Sequence, residues 1–194
     1  MLKQMTILGI TLAYVFFIYK FVNIYNADRA YVTSKELLTK GYIDKSIEEA
    51  QNAQKLNKNE PRYYQAEAKA LLAKTVEETN KDELKQTAVN KLETAIKLND
   101  KNLATIRNNV PIYYFVGVKD LAKEASINNL DADNLTKVNE YYAYAENYAP
   151  QDVGVKVLLA KYYKKLFQYE KFEKTKEDIK ALRPDLLEWH EDIR

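Results

Sequence analysis

Neighbouring acidic side chains are the first candidates for chemistry in this chain, because two carboxyl groups can share the roles of general acid and general base or nucleophile. Examples of such pairs are Glu48 and Glu49, Glu77 and Glu78, and Asp131 and Asp133. All of them lie among lysines and polar residues, a pattern typical of solvated helix faces and loops. The sequence singles out no pair as catalytic.

Other catalytic residue types are scarce. One histidine, His190, stands near the end of the chain, and there is no cysteine. Disulfides, thiol chemistry and cysteine zinc sites are therefore excluded, and a Ser-His-Asp triad would depend on that one imidazole. The sequence also lacks a glycine-rich phosphate loop. We predict that the protein is not an enzyme and has no cofactor, no metal site and no small-molecule substrate.

Basic side chains show a more regular pattern. Among the lysines that directly follow small residues, three stand in the dipeptides Ser34-Lys35, Ala68-Lys69 and Ala160-Lys161. Cations gathered on one surface are suited to bind an acidic peptide or a carboxy terminus. Whether these lysines share a surface depends on the elements that carry them.

Tyrosine is abundant, with sixteen residues. Four doublets occur, at Tyr63-Tyr64, Tyr113-Tyr114, Tyr141-Tyr142 and Tyr162-Tyr163. On a helix the two side chains of a doublet diverge by about 100°, so one can pack in the core while the other faces a groove or a neighbour. Two interpretations follow: the tyrosines fill the core, or some of them line a ligand groove.

Composition favours a folded, helical protein. Of the 194 residues, 46% are hydrophobic and 30% are charged, and only four glycines and four prolines are present. So few turn-forming residues leave little material for hairpins, and we predict an all-α fold. The net charge of +2 is spread along the chain, which gives no electrostatic reason to expect a nucleic-acid partner.

The N-terminal segment, positions 1–26, is predicted to form a transmembrane anchor. Residues 5–19 carry no charge, and after Lys20 an apolar and aromatic run continues to Tyr25. A spanning helix needs about 20 apolar residues, and a lysine near its end can extend its ammonium to the headgroups. We therefore predict a single-pass membrane protein with a membrane helix over residues 4–25. The basic residues on either side of the span do not decide which side the rest of the chain faces.

Three other interpretations of this segment stay open. A cleaved signal peptide would be cut before Asp28, where the bulky Tyr25 occupies a position that favours a small residue. A buried helix of a soluble protein would need a polar stripe, which the segment lacks over four turns. The segment could also be the last span of a longer polytopic protein.

The rest of the chain repeats a pattern of helix pairs. Equivalent apolar or small positions recur at Ala53, Ala95, Ala145 and Ile179, with spacings of 42, 50 and 34 along the chain. Self-similarity of this kind is typical of helical repeat arrays, in which each helix pair buries its apolar face against its neighbours. Such arrays usually serve as binding surfaces.

The pattern resembles tetratricopeptide repeats, whose unit of about 34 residues is a helix, a tight turn and a second helix. The clearest copy begins near Ala27 and places Ser34, Gly41, Ser46, Ala50 and Ala53 in the family's register. The resemblance implies antiparallel helix pairs stacked as a superhelix. It also implies a repeat domain of about four pairs over residues 27–184, with the second and third pairs elongated, and a C-terminal helix or cap over residues 185–194.

Two interruptions fall in the third pair. Pro111 lies inside the predicted helical run Leu103–Ala125, where it should kink the helix. A polar stretch over residues 126–134 carries most of the extra length of this pair.

The same resemblance implies a binding groove on the inner side of the stack. It places Lys35, Arg62, Lys69 and Lys161 on one basic wall, with a protein or peptide partner, such as an acidic segment, as the ligand. The function that follows is a membrane-anchored scaffold for protein–protein or peptide binding at the bacterial cell envelope.

A second resemblance points to a different function. The pentapeptide Ala27–Tyr31 after a membrane span is similar to the start of the repeat tail in bacterial O-antigen ligase or polymerase-like polytopic proteins. It implies an accessory C-terminal domain of such an envelope protein, in the bacterial inner membrane.

Overall fold

The computed structural model describes residues 2–186, and side chains from residue 6 onward. These residues form eight α-helices: α1 Leu2–Thr39, α2 Ile43–Leu56, α3 Pro61–Lys74, α4 Lys81–Leu98, α5 Leu103–Val116, α6 Ala132–Tyr148, α7 Val153–Lys165 and α8 Tyr169–Leu182. The prediction of an all-α protein with a long apolar N-terminal helix is confirmed. Most of the predicted cap at 185–194, including His190, lies outside the described residues.

The N-terminal half of α1 stands apart from the rest of the protein. By length and composition it could cross a membrane, and none of its apolar stretch is buried. Its large apolar side chains are between 43% and 70% exposed from Ile7 to Tyr25. Because none of the other described helices covers this surface, the interpretation as a helix buried in a soluble core is wrong.

The C-terminal half of α1 belongs to the folded domain. Burial begins at Ala27 and continues at Ala30 and Ser34, yet α1 does not break between residues 26 and 27. The Ser34 hydroxyl donates to the carbonyl of Ser46 at 2.8 Å, and the Ser46 hydroxyl donates to the carbonyl of Ser34 at 2.8 Å. Ala27 and Ala30 pack with Ala53 further along α2, so the two helices run antiparallel.

The later helices extend this arrangement. Each odd-numbered helix packs on the even-numbered helix that follows it, and α1, α3, α5 and α7 also pack on one another in that order. The small residues predicted at the helix crossings are buried, namely Ser34, Ser46, Ala50, Ala53, Ala68, Ala88, Ala95, Ala145 and Ala160. One apolar core joins α3 to α8.

The second pair takes up its extra length in two places. The connection between its helices covers residues 75–80, and α4 has 18 residues where α2 has 14. Helix α3 has 14 residues, so α4 alone is lengthened.

The third pair contains a long irregular connection. Helix α5 continues through Pro111 but ends at Val116, so the predicted helical run to Ala125 is wrong. Between α5 and α6, Val118 pairs with Leu130 in an isolated antiparallel bridge. The side-chain amide of Asn129 donates to the backbone carbonyls of Asp120 and Glu124. Bonds of this kind give the backbone an alternative to a helix.

Candidate functional site

Three of the four predicted groove residues line one concavity between α1 and α3. Lys35 comes from α1, and Arg62 and Lys69 come from α3. The concavity has a volume of about 210 Å³. Its other lining residues are Tyr31, Ser34, Leu38, Gln65, Ala66 and Asn108. We call this concavity the basic pocket.

The helix crossings explain why the two lysines meet. Ser34 and Ala68 are almost completely buried where α1 and α3 pack against their neighbours. The next residue on a helix is turned by about 100°, which brings Lys35 and Lys69 from the crossings to the exposed side. Because α1 packs on α3, both ammonium groups reach the same concavity.

The lysines of the basic pocket have no carboxylate beside them in the described part of the chain. The described residues that line it include no carboxylate, and among residues 6–186 neither Lys35 nor Lys69 has an acidic partner within ion-pair distance. Partial loss of water around its ammonium lowers the pKa of Lys69, and the nearby charge of Lys35 lowers it further. A bound anion would relieve this repulsion.

Arg62 differs from the lysines because acids already surround it. Its Nε donates to Glu60 Oε1 at 2.8 Å, and its Nη2 lies 3.6 Å from Asp28 Oδ1. The hydrogen bond to Glu60 raises the pKa of Arg62. The guanidinium also lies over the Tyr31 ring, with Cζ 5.5 Å from the ring centre.

Tyr31 connects the cations of the basic pocket. The Lys35 ammonium lies 5.4 Å from the centre of the Tyr31 ring, on which Arg62 also packs. Cation–π contacts of this kind hold long basic side chains in place. Tyr31 therefore helps to fix the positions of the Lys35 and Arg62 charges in the pocket.

Gln65 and Asn108 close the pocket toward α5. The Gln65 amide donates to the Thr105 carbonyl at 3.1 Å and to Asn109 Oδ1 at 2.7 Å. Tyr31, Gln65 and Asn108 were not predicted as site residues. Tyr31 and Gln65 are 34 positions apart, the length of the unit that the sequence resembles, so this spacing was a signal for them.

Lys161 does not line the basic pocket. It lies half-buried on α7, which packs on α5 and α6 rather than on α3. A lysine follows the buried Ala68 in α3 and the buried Ala160 in α7, but in α5 the residue after the buried Val110 is Pro111. Helix α5, which lies between them, therefore supplies no cation at the equivalent position. The structure therefore brings three of the four predicted residues together.

The tyrosine doublets divide between core and surface. Tyr63, Tyr113 and Tyr163 are buried while their doublet partners are half-buried, and both members of the Tyr141-Tyr142 doublet are buried. A second concavity of about 230 Å³ lies beside the stacked rings of Tyr113 and Tyr141. Glu93, Lys137 and Glu140 also line it, so it has charges of both signs.

Within residues 6–186, no three His, Cys, Asp or Glu side chains are grouped so that they could hold a metal ion. The chain matches no protein-family model and no curated protein.

Proposed function

We propose that this protein is a membrane-anchored helical-repeat scaffold, similar to tetratricopeptide repeat proteins, that binds an acidic peptide segment in the basic pocket. The observation that carries the proposal is the meeting of Lys35 and Lys69 with Arg62 in one concavity, where no carboxylate is found among the described lining residues. Such a surface attracts carboxylates and repels other cations. The proposed role is to bind a partner rather than to catalyse a reaction.

The anchor is proposed to stay on the mature protein. Cleavage before Asp28 would cut a continuous helix and remove Ala27, which is completely buried against α2. Cleavage there would remove part of the buried contact between α1 and α2. We propose a single-pass location in the bacterial inner membrane, and the side that the repeats face stays open.

A second candidate function rests on the course of α1. The helix passes from its exposed apolar half into the first repeat without a break, an arrangement that also suits a repeat domain directly following the last span of an O-antigen ligase or polymerase-like protein. A reading frame that continues upstream of Met1 into further spans would favour this candidate over an independent scaffold.

Peptide binding tests the scaffold proposal. Full-length protein in detergent is titrated with a labelled hexaglutamate peptide and with its hexaglutamine counterpart. We expect hexaglutamate to bind more tightly, with an affinity that falls as salt rises. The double variant Lys35→Gln/Lys69→Gln should lose on the order of tenfold or more in affinity, since two close charge pairs are removed.

The matched control is Lys40→Gln/Lys45→Gln, which removes the same charge from exposed positions outside the pocket. It should bind like the wild type. Equal loss in both double variants would show that net charge, and not the basic pocket, governs binding. Circular dichroism checks that both variants keep their helix content.

Membrane placement is tested separately. Full-length protein should stay with the membrane fraction after high-salt and alkaline carbonate washing, because burial of about 20 apolar residues is not reversed by salt. The protein found intact in the carbonate supernatant would contradict the anchor.

A further inference from the structure

A second group of lysines surrounds a concavity where α1 leaves its apolar stretch. Lys20 comes from α1, and Lys55 and Lys58 come from the end of α2 and the connection to α3. The side chains of Asn23, Asn57 and Asn59 also line this concavity, whose volume is about 430 Å³. We call it the juxtamembrane pocket.

The position of this pocket along α1 is set by a polar connection. Residues 57–60 join α2 to α3, and three of them lie beside the stretch from Tyr19 to Ile24. Backbone groups outside regular structure are not exposed to hydrocarbon, where they would lack hydrogen-bond partners. With α1 in a bilayer, this connection must therefore lie at the level of the headgroups.

The length of the apolar stretch of α1 agrees with this placement of the connection at the depth of the headgroups. If the hydrocarbon ends near Tyr19, earlier than the predicted span over residues 4–25, then residues 2–19 cross it with a helix about 27 Å long, close to the roughly 30 Å of a typical bilayer core. Tyr19, Phe21 and Tyr25 are exposed and then fall at the interface, where aromatic side chains are enriched. The juxtamembrane pocket opens at the depth of lipid phosphates.

The charge of the pocket fits an anion. Its described lining has three lysines and no carboxylate. In the part of the chain whose side chains are described, none of Lys20, Lys55 and Lys58 has an acidic partner within ion-pair distance. The asparagine amides add neutral hydrogen-bond donors. Ammonium and amide donors around one concavity are the chemistry that binds a phosphate.

We propose that the juxtamembrane pocket binds the phosphate headgroup of an anionic phospholipid in the bilayer that α1 spans. The inference rests on the membrane placement of the proposed function, but not on peptide binding in the basic pocket. Lipid is the occupant because the pocket adjoins the exposed apolar surface of α1, which acyl chains would cover, whereas a free phosphate would gain nothing from that surface.

Lipid retention by the full chain is the test. Protein in a nonionic detergent is incubated with equal amounts of phosphatidylglycerol and phosphatidylcholine, and the bound lipids are counted by native mass spectrometry. Wild-type protein should retain phosphatidylglycerol in excess. In Lys55→Gln/Lys58→Gln that excess should fall on the order of tenfold, because each lysine near an anionic surface contributes to the attraction.

The matched control is again Lys40→Gln/Lys45→Gln, which should keep the wild-type preference because both lysines lie outside the juxtamembrane pocket. Equal retention of the two lipids by wild-type protein would overturn the inference, as would an equal loss of preference in the control variant. Binding of free glycerol phosphate as tight as binding of the lipid would also overturn it, in favour of a soluble phosphate.

The carbonate wash separates this failure from failure of the membrane placement. A chain that resists the wash but shows no lipid preference is anchored without a lipid site. A chain released by the wash loses both the anchor and the lipid site.

Discussion

Small side chains at the helix crossings decide how closely the first two helices approach. Ala53 is completely buried and packs with Ala27, Ala30 and Tyr63. Tightly packed protein interiors of this kind have no room for additional methylene groups. The neighbouring residue, Asn52, is exposed, which gives a position where the same change meets open solvent.

Ala53→Leu should destabilise the protein by about 1 to 3 kcal/mol through overpacking. Asn52→Leu adds the same side chain at the exposed position and should change stability by less than about 0.5 kcal/mol. Urea unfolding followed by circular dichroism measures both. Equal midpoints would show that Ala53 does not lie at a tight crossing.

If the basic pocket binds an acidic peptide as proposed, the lowered pKa of Lys69 should make that binding dependent on pH. Partial loss of water around the ammonium and the charge of Lys35 lower the pKa in the free protein, and a bound carboxylate would raise it again. Because the peptide binds the protonated form better, affinity should fall as pH rises toward the lowered pKa. Lys69→Arg keeps its charge at all these pH values and should bind hexaglutamate with little change from pH 7 to pH 10. Parallel pH profiles for the two proteins would contradict this linkage.

The residues of the basic pocket were partly predictable because they follow the repeat. Lys35 and Lys69 stand directly after small residues in one register, and the structure places both in the lining of the same concavity. The register alone could not place Lys161, because its distance from α3 depends on α5 lying between them. Repeat spacing fixes the direction of a side chain, while the order of helices fixes its neighbours.

At the scale of elements, the first and last helix pairs use the same turn. Gly41, which follows α1, has φ 81°, and Phe167 takes the equivalent position after α7 with φ 57°. The amide of Tyr42 donates to the Leu37 carbonyl, and the amide of Gln168 donates to the Tyr163 carbonyl, both at 2.9 Å. This bond pattern caps a helix with a left-handed residue. Glycine adopts this conformation readily, so Gly41 is a signal in the sequence for the end of α1, whereas phenylalanine at position 167 gives no such signal.

Gly41→Ala should destabilise the protein by about 1 to 2 kcal/mol, the cost of a left-handed residue with a Cβ. No atom of the described residues lies within 4 Å of a Cβ added at Gly41, so the cost is conformational strain alone. Lys40→Ala, one residue earlier and also exposed, should be nearly neutral. Thermal unfolding of the two variants measures the difference, and equal melting temperatures would argue against strain at Gly41.

The long connection of the third pair is held by a buried ion pair. The Lys85 ammonium, on a side chain that is 2% exposed, donates to the Val118 carbonyl and to Asp131 Oδ2, each at 2.6 Å. Burial alone would raise the pKa of Asp131, but hydrogen bonds from Lys85 and Asn134 outweigh it and lower the pKa below its ordinary value. The connection therefore depends on a contact between α4 and the start of α6.

Asp131→Asn should destabilise the protein by about 3 kcal/mol at pH 7, because it leaves Lys85 buried without a counter-charge. In wild-type protein this contribution is present above the unfolded pKa of the acid and is lost as pH falls through the lower, folded pKa. The variant should lack that acid-dependent loss. Urea unfolding between pH 2 and pH 7 measures both effects.

Asp133→Asn is the matched control, since Asp133 is exposed in the first turn of α6. It should change stability by less than about 0.5 kcal/mol. A similar loss in both variants would show that the ion pair is not what stabilises the connection.

The sequence could not predict this part of the fold. Gly117 directly follows α5 and is a stop signal that the predicted run to Ala125 passed over. The course of the connection after it depends on bonds around Asn129 and on the reach of Lys85 from another helix pair, which the sequence does not show. Helix periodicity reports local pattern only, whereas these contacts join residues up to 46 positions apart. The outer pairs have short connections between their helices, and there the local pattern was sufficient.

At the scale of the whole molecule, α1 joins the apolar stretch to the repeats as one helix of 38 residues. The chain has no cysteine, so spin labels can be attached at two introduced cysteines without background. For Phe21→Cys/Glu36→Cys in a bilayer, we expect a narrow distribution of distances between the two labels, centred at about 22 Å, from a rise of about 1.5 Å per residue.

The control is Asp82→Cys/Lys97→Cys, which has the same separation within α4 at two exposed positions. Its distribution gives the width expected for an intact helix with the same labels. A clearly broader distribution for the α1 pair would show a hinge near residues 26 and 27.

If α1 spans a bilayer as proposed, an unbroken helix between the membrane and the basic pocket would hold the pocket at a fixed height. Lys20 and Lys35 are separated by fifteen helical positions, which would place the basic pocket about 22 Å above the lipid phosphates. A flexible linker would let the site sweep a wide volume and meet partners at many distances. With the pocket at that height, a membrane-bound partner would meet it at high local concentration only if its acidic segment extends equally far from the membrane. Partners would then be selected by the length of that segment as well as by its charge.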